Sequence, residues 1–132
     1  KVLLALNEPA QIALPGGCLR VTRAKNALLE MQRDDGAWSG FKGGEASIEE
    51  TALALEALSG VTEADEETQA KLVKARDRAA DWLVSQVESE AWTEPSPIGF
   101  YFAKLWYYEK LYPMIATVAA LSSYRRLADK PE

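Results

Sequence analysis

Two carboxylate pairs and one dense aromatic run are the residues of this chain whose types and spacing could do chemistry. Asp34-Asp35 sets two acids side by side, an arrangement suited to general-acid work. The pair runs straight into Gly36, where a helix must end, so capping and solvating that end is the simpler use. Glu49-Glu50 could offer oxygens to a hard cation, but the chain has no histidine and no second acidic helix to complete such a site. Glu50 also stands three residues after Ser47, the spacing of a capping box. The aromatic run is Phe100, Tyr101, Phe102, Trp106, Tyr107, Tyr108 and Tyr112, seven aromatics in thirteen residues. They cannot all face one way on a helix. Phe100, Tyr107 and Tyr108, at i, i+7 and i+8, fall near one face, and a packed core is the simpler use of any one of them.

The rest of the composition narrows the chemistry. The lone cysteine, Cys18, cannot make an internal disulfide, and no Cys/His cluster exists for zinc. Without histidine the commonest general base is missing. No catalytic residue and no metal ligand is therefore assigned. With 132 residues, 48% of them hydrophobic, the chain has enough material for one modest core. A net charge of −5 with both signs intermixed gives no basic stripe, which argues against a nucleic-acid partner. No secretory leader is visible, and no apolar run nears the roughly 18 residues of a membrane span. The opening Lys1-Val2-Leu3-Leu4-Ala5-Leu6 reads like the end of an apolar helix cut from something longer, so the chain is expected to be a fragment or an isolated domain.

The elements that must position these residues follow from periodicity and punctuation. Leu14-Pro15-Gly16-Gly17 is a breaker cluster. A helix is expected from about Leu19 to Gln32, with Ala24, Ala27, Leu28 and Met31 on one face. A Gly-rich loop over residues 39–46 leads to a helix capped by Ser47, with Ile48, Thr51, Ala52, Leu55 and Leu58 on its apolar face and Gly60 as its stop. Acidic residues 62–68 suit the positive end of the next helix. That helix reaches about Val87, with Leu72, Ala75, Ala79, Trp82, Leu83 and Gln86 inward and Lys71, Lys74, Asp77, Arg78 and Asp81 mostly outward. After Pro95 and Pro97, residues 98–111 are expected to be helical, with Pro113 kinking or restarting the chain before a last helix over 115–127. Arg125-Arg126 near its end suits the helix dipole. The class is all-α, about five helices in pairs.

Two stretches echo each other. Arg23-Ala24, Leu28, Gln32, Gly36 and Trp38 form one unit, and Arg78-Ala79, Trp82-Leu83, Gln86 and Trp92 a second, some 55 residues on. Such a period marks stacked units that need neighbours to bury their faces. The first unit, Arg23-Ala24-x-x-Ala27-Leu28-x-x-x-Gln32-x-x-x-Gly36-x-Trp38, resembles the QW motif of squalene-hopene cyclases and oxidosqualene cyclases, with Ala27 where an aromatic is usual. The second is one residue short before Trp92 and has Glu90 near the usual glycine. Ser47-Ile48-Glu49-Glu50-Thr51-Ala52-Leu53-Ala54-Leu55 resembles the helix that follows a QW motif in bacterial cyclases. Trp92-Thr93-Glu94-Pro95, Gly99-Phe100-Tyr101 and the Tyr112-Pro113 step resemble that family's C-terminal signature. The likeness covers residues 20–132; residues 1–19 are a poorly matched lead-in.

The resemblance implies a single C-terminal piece, residues 1–132, of an α/α toroid built from helical hairpins around an apolar cavity. It implies triterpenoid chemistry of the isomerase type: an upstream Asp-x-Asp-Asp acid, absent from this chain, protonates a polyprenyl substrate such as squalene, and aromatic faces stabilise the migrating carbocation. No cofactor and no metal are implied. Phe100, Tyr108 and Trp38 become substrate-cavity candidates, although matching the Tyr112-Pro113 step needs a one-residue insertion and Leu105 stands where another cavity tyrosine is expected. Gln32, Gly36, Trp38, Gln86 and Trp92 become the structural braces. The partner is expected to be the remainder of the parent polypeptide or a second copy. The expected location is cytoplasmic, peripheral on the inner face of the membrane. Isolated, the chain is expected to be inactive. Two other readings remain open: a non-catalytic α/α repeat serving as scaffold or lipid-binding module, and a piece of a prenyltransferase-like barrel, which the missing zinc ligands disfavour.

Overall fold

The computed structural model describes residues 17–63, 65–100 and 105–129. It is mostly helical, with four α-helices among the described residues: α1 (Gly17–Met31), α2 (Ile48–Ser59), α3 (Glu66–Glu88) and α4 (Leu111–Ala128). A single 3₁₀ turn, Ala91–Thr93, follows α3, and two short strands, β1 (Ser96–Phe100) and β2 (Leu105–Glu109), precede α4. The apolar stretch 2–6, the breaker residues 14–16 and residues 101–104 lie outside the described residues.

α2 is the centre of the packing. It lies most extensively against α4 and next against α3. The core is built from Ala52, Leu55 and Leu58 of α2, Leu72, Ala79 and Leu83 of α3, and Ala120 of α4. Alanine at so many of these positions lets backbones approach closely. Each alanine buries little apolar area, at about 25 cal/mol per Å², so the helices need further ties.

Those ties are caps. Ser47 Oγ accepts from the Glu50 N–H at 3.4 Å, the expected half of a capping box. The reciprocal half is absent: the Ser47 N–H donates instead to the Trp38 carbonyl at 2.9 Å, while the Glu50 carboxylate lies over Gly40. The loop thus satisfies the donor that the glutamate was expected to take. Asp65 caps α3, accepting from the Thr68 N–H at 2.8 Å, and these hydrogen bonds hold its carboxyl below the usual value. Gly60 ends α2 as expected.

Three expectations are corrected. The helix expected over 98–111 is replaced, among the described residues, by two strands: β1 and β2 pair antiparallel, with Pro97 opposite Tyr108, Gly99 opposite Trp106 and Phe100 opposite Leu105. Pro97 and Gly99 oppose helix strongly, and the Trp106-Tyr107-Tyr108 run favours a strand. The helical face joining Phe100, Tyr107 and Tyr108 therefore does not exist. Pro113 neither kinks nor restarts a helix; α4 begins at Leu111, which places proline in the first turn, where its missing N–H would have had no partner. Finally, α1 starts at Gly17, inside the expected breaker cluster.

Candidate functional site

The turn between α1 and α2 is tied by side-chain hydrogen bonds to α1, α2 and α3. Gln32 lies just past the end of α1, and its Nε2 donates to the Gly36 carbonyl at 2.9 Å and to the Ala75 carbonyl of α3 at 2.8 Å. Gly36 has φ +93, a left-handed backbone that a side chain disfavours. A Cβ there would stand 2.7 Å from the Arg78 carbonyl oxygen, so the glycine is what lets α3 sit against the turn. Trp38 is 2% exposed. Its Nε1 donates to the Leu28 carbonyl at 2.8 Å, and its N–H to Thr51 Oγ1 at 2.9 Å. Gln32, Gly36 and Trp38 therefore join α1, α2 and α3 at one point.

Two arginines complete the arrangement: Arg78, known from the second repeat unit, and Arg76, which the sequence did not single out. Arg78, expected to point mostly outward, donates through Nη2 to the carbonyls of Arg33 at 2.9 Å and Asp34 at 2.6 Å. It thereby ties α3 to the turn just past α1, with its cation near the helix's negative end. Arg76 is 2% exposed. It donates from Nε and Nη2 to the Leu58 carbonyl at 3.0 and 2.6 Å and from Nη2 to the Val61 carbonyl, closing the end of α2. Burial pulls its guanidinium below the usual value. Its spacing from Leu72, Ala79 and Leu83 could have placed it inward, but the charge argued otherwise. Lys25, also 2% exposed, meets Glu63 at 2.6 Å and fastens α1 to the segment after α2.

Beside this junction lies an apolar groove of about 420 Å³ between α1 and α2, lined by Ala24, Ala27, Leu28, Met31, Leu53 and Ala57, with Trp38, Ser39 and Glu50 at its edge. The α1 face expected to pack inward thus lines an open groove for much of its length. A second apolar groove is formed by Trp92 with Leu111, Met114, Ile115 and Val118 of α4.

The remaining candidates are dispersed. Gln86 donates to its neighbour Ser85 Oγ at 3.1 Å, and Trp92 is half-buried in the 3₁₀ turn. Tyr108, a cavity candidate, is 75% exposed and stands apart from the buried Trp38; Phe100, the other candidate, ends β1, opposite Leu105. Asp35 Oδ1 accepts from the Ala37 N–H at 3.1 Å and pairs with Arg33, so it orders the turn itself and does not cap a helix end. Arg125 pairs with Asp129 at 3.5 Å. No cluster of three or more potential metal ligands occurs among the described residues, and none of the described helices is long and apolar enough to cross a membrane.

No family model matches the chain, and no solved structure matches it. It is similar to the uncharacterized protein blr2149 of Bradyrhizobium diazoefficiens, 38% identical over 68 residues, and to the uncharacterized protein y4kT of Sinorhizobium fredii, 40% identical over 68 residues. Each match covers 51% of this chain but 13% of the relative.

Proposed function

We propose that the chain is a C-terminal part of a squalene-hopene-cyclase-like enzyme, with α1 and α3 as outer and α2 and α4 as inner helices of an α/α toroid. Its role is to brace helix ends and supply cavity wall, while the proton comes from an acid elsewhere in the protein. One observation carries the reading: Gln32, Gly36 and Trp38, the residues of the QW resemblance, act together as a tie between successive helices. Such a tie holds the wall of a cavity rigid while a cation forms inside it, and a rigid apolar wall keeps out the water that would quench that cation. The groove bordered by Trp92 and α4 offers hydrocarbon surface and one π-face, the surface a polyprenyl chain needs. The partner is the remainder of a longer polypeptide or a second copy, and the place is the cytoplasmic side of a membrane, where such a substrate dissolves.

The test is to feed squalene to the full-length protein and look for cyclised hydrocarbon by mass spectrometry. A cyclised product is expected. Its absence from a protein with an intact upstream Asp-x-Asp-Asp would sink the cyclase reading in favour of a non-catalytic lipid-binding repeat. That second reading has its own support in the α4 groove, whose lining carries no charged side chain.

A further inference from the structure

α1 is attached to the rest of the molecule differently from α2 and α3. α2 buries Thr51, Ala52, Ala54, Leu55, Ala57 and Leu58, and α3 buries a set of the same size. Of the described side chains of α1, Lys25 alone is buried. Val21, Ala24, Leu28 and Leu29 reach the core but are only partly covered, and an apolar groove separates much of the α1 face from α2. The side chain that α1 places most deeply is therefore an ammonium. A buried ammonium is unfavourable unless it is paired, and its partner is the Glu63 carboxylate at 2.6 Å.

The two ends of this attachment are built unequally. At the C-terminal end, the Trp38 Nε1 bond to the Leu28 carbonyl, with the Gln32 and Arg78 bonds, joins α1 and its turn to the body of the molecule. Towards the N-terminus, Lys25 meets a carboxylate whose backbone is fixed from behind, because the Glu63 N–H donates to Gln69 Oε1 of α3 at 2.9 Å. Asp65, two residues on, accepts from the Thr68 N–H at 2.8 Å and is engaged there. The Glu63 side chain is 26% exposed and the Lys25 side chain 3%. Water can therefore solvate the glutamate where it stands, whereas the lysine reaches water only if α1 moves.

We infer that α1 is a latched arm: it opens from its N-terminal side about the knot of Gln32, Gly36 and Trp38, and the Lys25–Glu63 pair is the latch that holds it shut. Breaking the pair leaves an ammonium that is stable only in water; its flexible stem carries it outward, and the helix lifts with it. A 15-residue helix freed of its neighbours is marginal in water, so the lifted segment unwinds. The rest of the fold stays packed, because none of the described α1 residues belongs to the fully buried apolar core. Lys25→Met keeps the reach of the side chain without its charge and holds the arm shut, since apolar replacements of buried ion pairs are often neutral or stabilising. The inference goes beyond the cyclase reading and uses none of its chemistry.

The test is hydrogen–deuterium exchange on the 132-residue chain, read by mass spectrometry and comparing the amides of residues 21–27 with those of α2 and α3. In the unaltered chain the α1 amides should exchange about tenfold faster than those of α2, through local opening. Glu63→Gln should speed α1 by about another tenfold while α2 and α3 stay as they were. Lys25→Met should slow α1, and Glu63→Gln added to it should then change nothing. Exchange of α1 in step with α2, no acceleration or an equal acceleration of all helices in Glu63→Gln, or an acceleration that survives Lys25→Met overturns the inference. None of these readouts involves squalene, so a failed cyclisation assay and a failed latch remain distinguishable.

Discussion

Replacing Gly36 by alanine tests whether the turn after α1 is a docking point or merely a bend. Two costs are expected. The residue sits at φ +93, where a side chain costs about 1–2 kcal/mol. The new Cβ would also fall 2.7 Å from the Arg78 carbonyl oxygen, a backbone atom in the middle of α3 that cannot swing aside. Moving α3 away lengthens the Gln32 bond to Ala75 and the Arg78 bonds to residues 33 and 34, adding about 1–3 kcal/mol. The total, about 3 kcal/mol, is a large part of the stability of a small domain. Gly43→Ala is the matched control: its φ is +85, but a Cβ there meets nothing within 4 Å, so it carries the backbone cost alone. Urea denaturation followed by circular dichroism measures both. Equal losses for Gly36→Ala and Gly43→Ala would refute the docking argument, since only the contact with α3 separates them.

Three further outcomes are expected. Arg76→Met should lower stability by about 2–4 kcal/mol, because the carbonyls of Leu58 and Val61 lose their buried donor; Arg76→Lys should recover little, since an ammonium lacks the fork, and denaturation midpoints decide both. Thr117 has a buried hydroxyl without a partner among the described residues, so Thr117→Val should be neutral or stabilise by up to about 1 kcal/mol in a thermal melt; a loss of that size would reveal a hidden bond. Tyr124 donates to Asp77 at 2.7 Å, and that bond, with burial, raises its hydroxyl to about 12. The folded value exceeds the unfolded one of about 10, so the contribution is complete below about pH 10 and is lost as pH rises towards 12. Ultraviolet titration should show one late-ionising tyrosine that disappears in Tyr124→Phe.

Much of the fold was legible because helix signals are local. Ser47, Gly60 and the acidic residues before α3 punctuate the chain where the helices do start and stop. The residues of the QW resemblance were legible as a set, and Gln32, Gly36 and Trp38 meet in space. What stayed hidden depends on partners distant in sequence. Arg76 looks like a surface residue until the end of α2 supplies carbonyls for it. Lys25 is buried because Glu63, 38 residues on, meets it. The hairpin is hidden in the sequence because an aromatic run satisfies helical and strand patterns alike over so short a stretch, and only Pro97 and Gly99 speak against a helix there. Glu90 stands where the motif has glycine, and its left-handed backbone, at φ 60, keeps the sense of the Gly36 turn.

The distribution of apolar residues gives this arrangement a direction. Small residues, above all alanine, fill the interior, while Leu111, Tyr112, Ile115 and Val118 stand exposed along α4 and Met31 along the α1 groove. A domain built to stand alone places its largest apolar side chains inside, where each contributes about 1.5–3 kcal/mol. Here a leucine core of Leu55, Leu58, Leu72 and Leu83 is padded with alanine and held by polar braces to main-chain carbonyls, while several large apolar side chains of α4 are turned outward. Exposed apolar faces of this kind mark surfaces that meet something else. The lining of the α4 groove carries no charged side chain, whereas the α1 groove has Glu50 among its lining residues and the exposed Arg23 on the same helix. The two faces therefore differ in the chemistry they offer a neighbour: apolar area alone on α4, apolar area with charge beside it on α1.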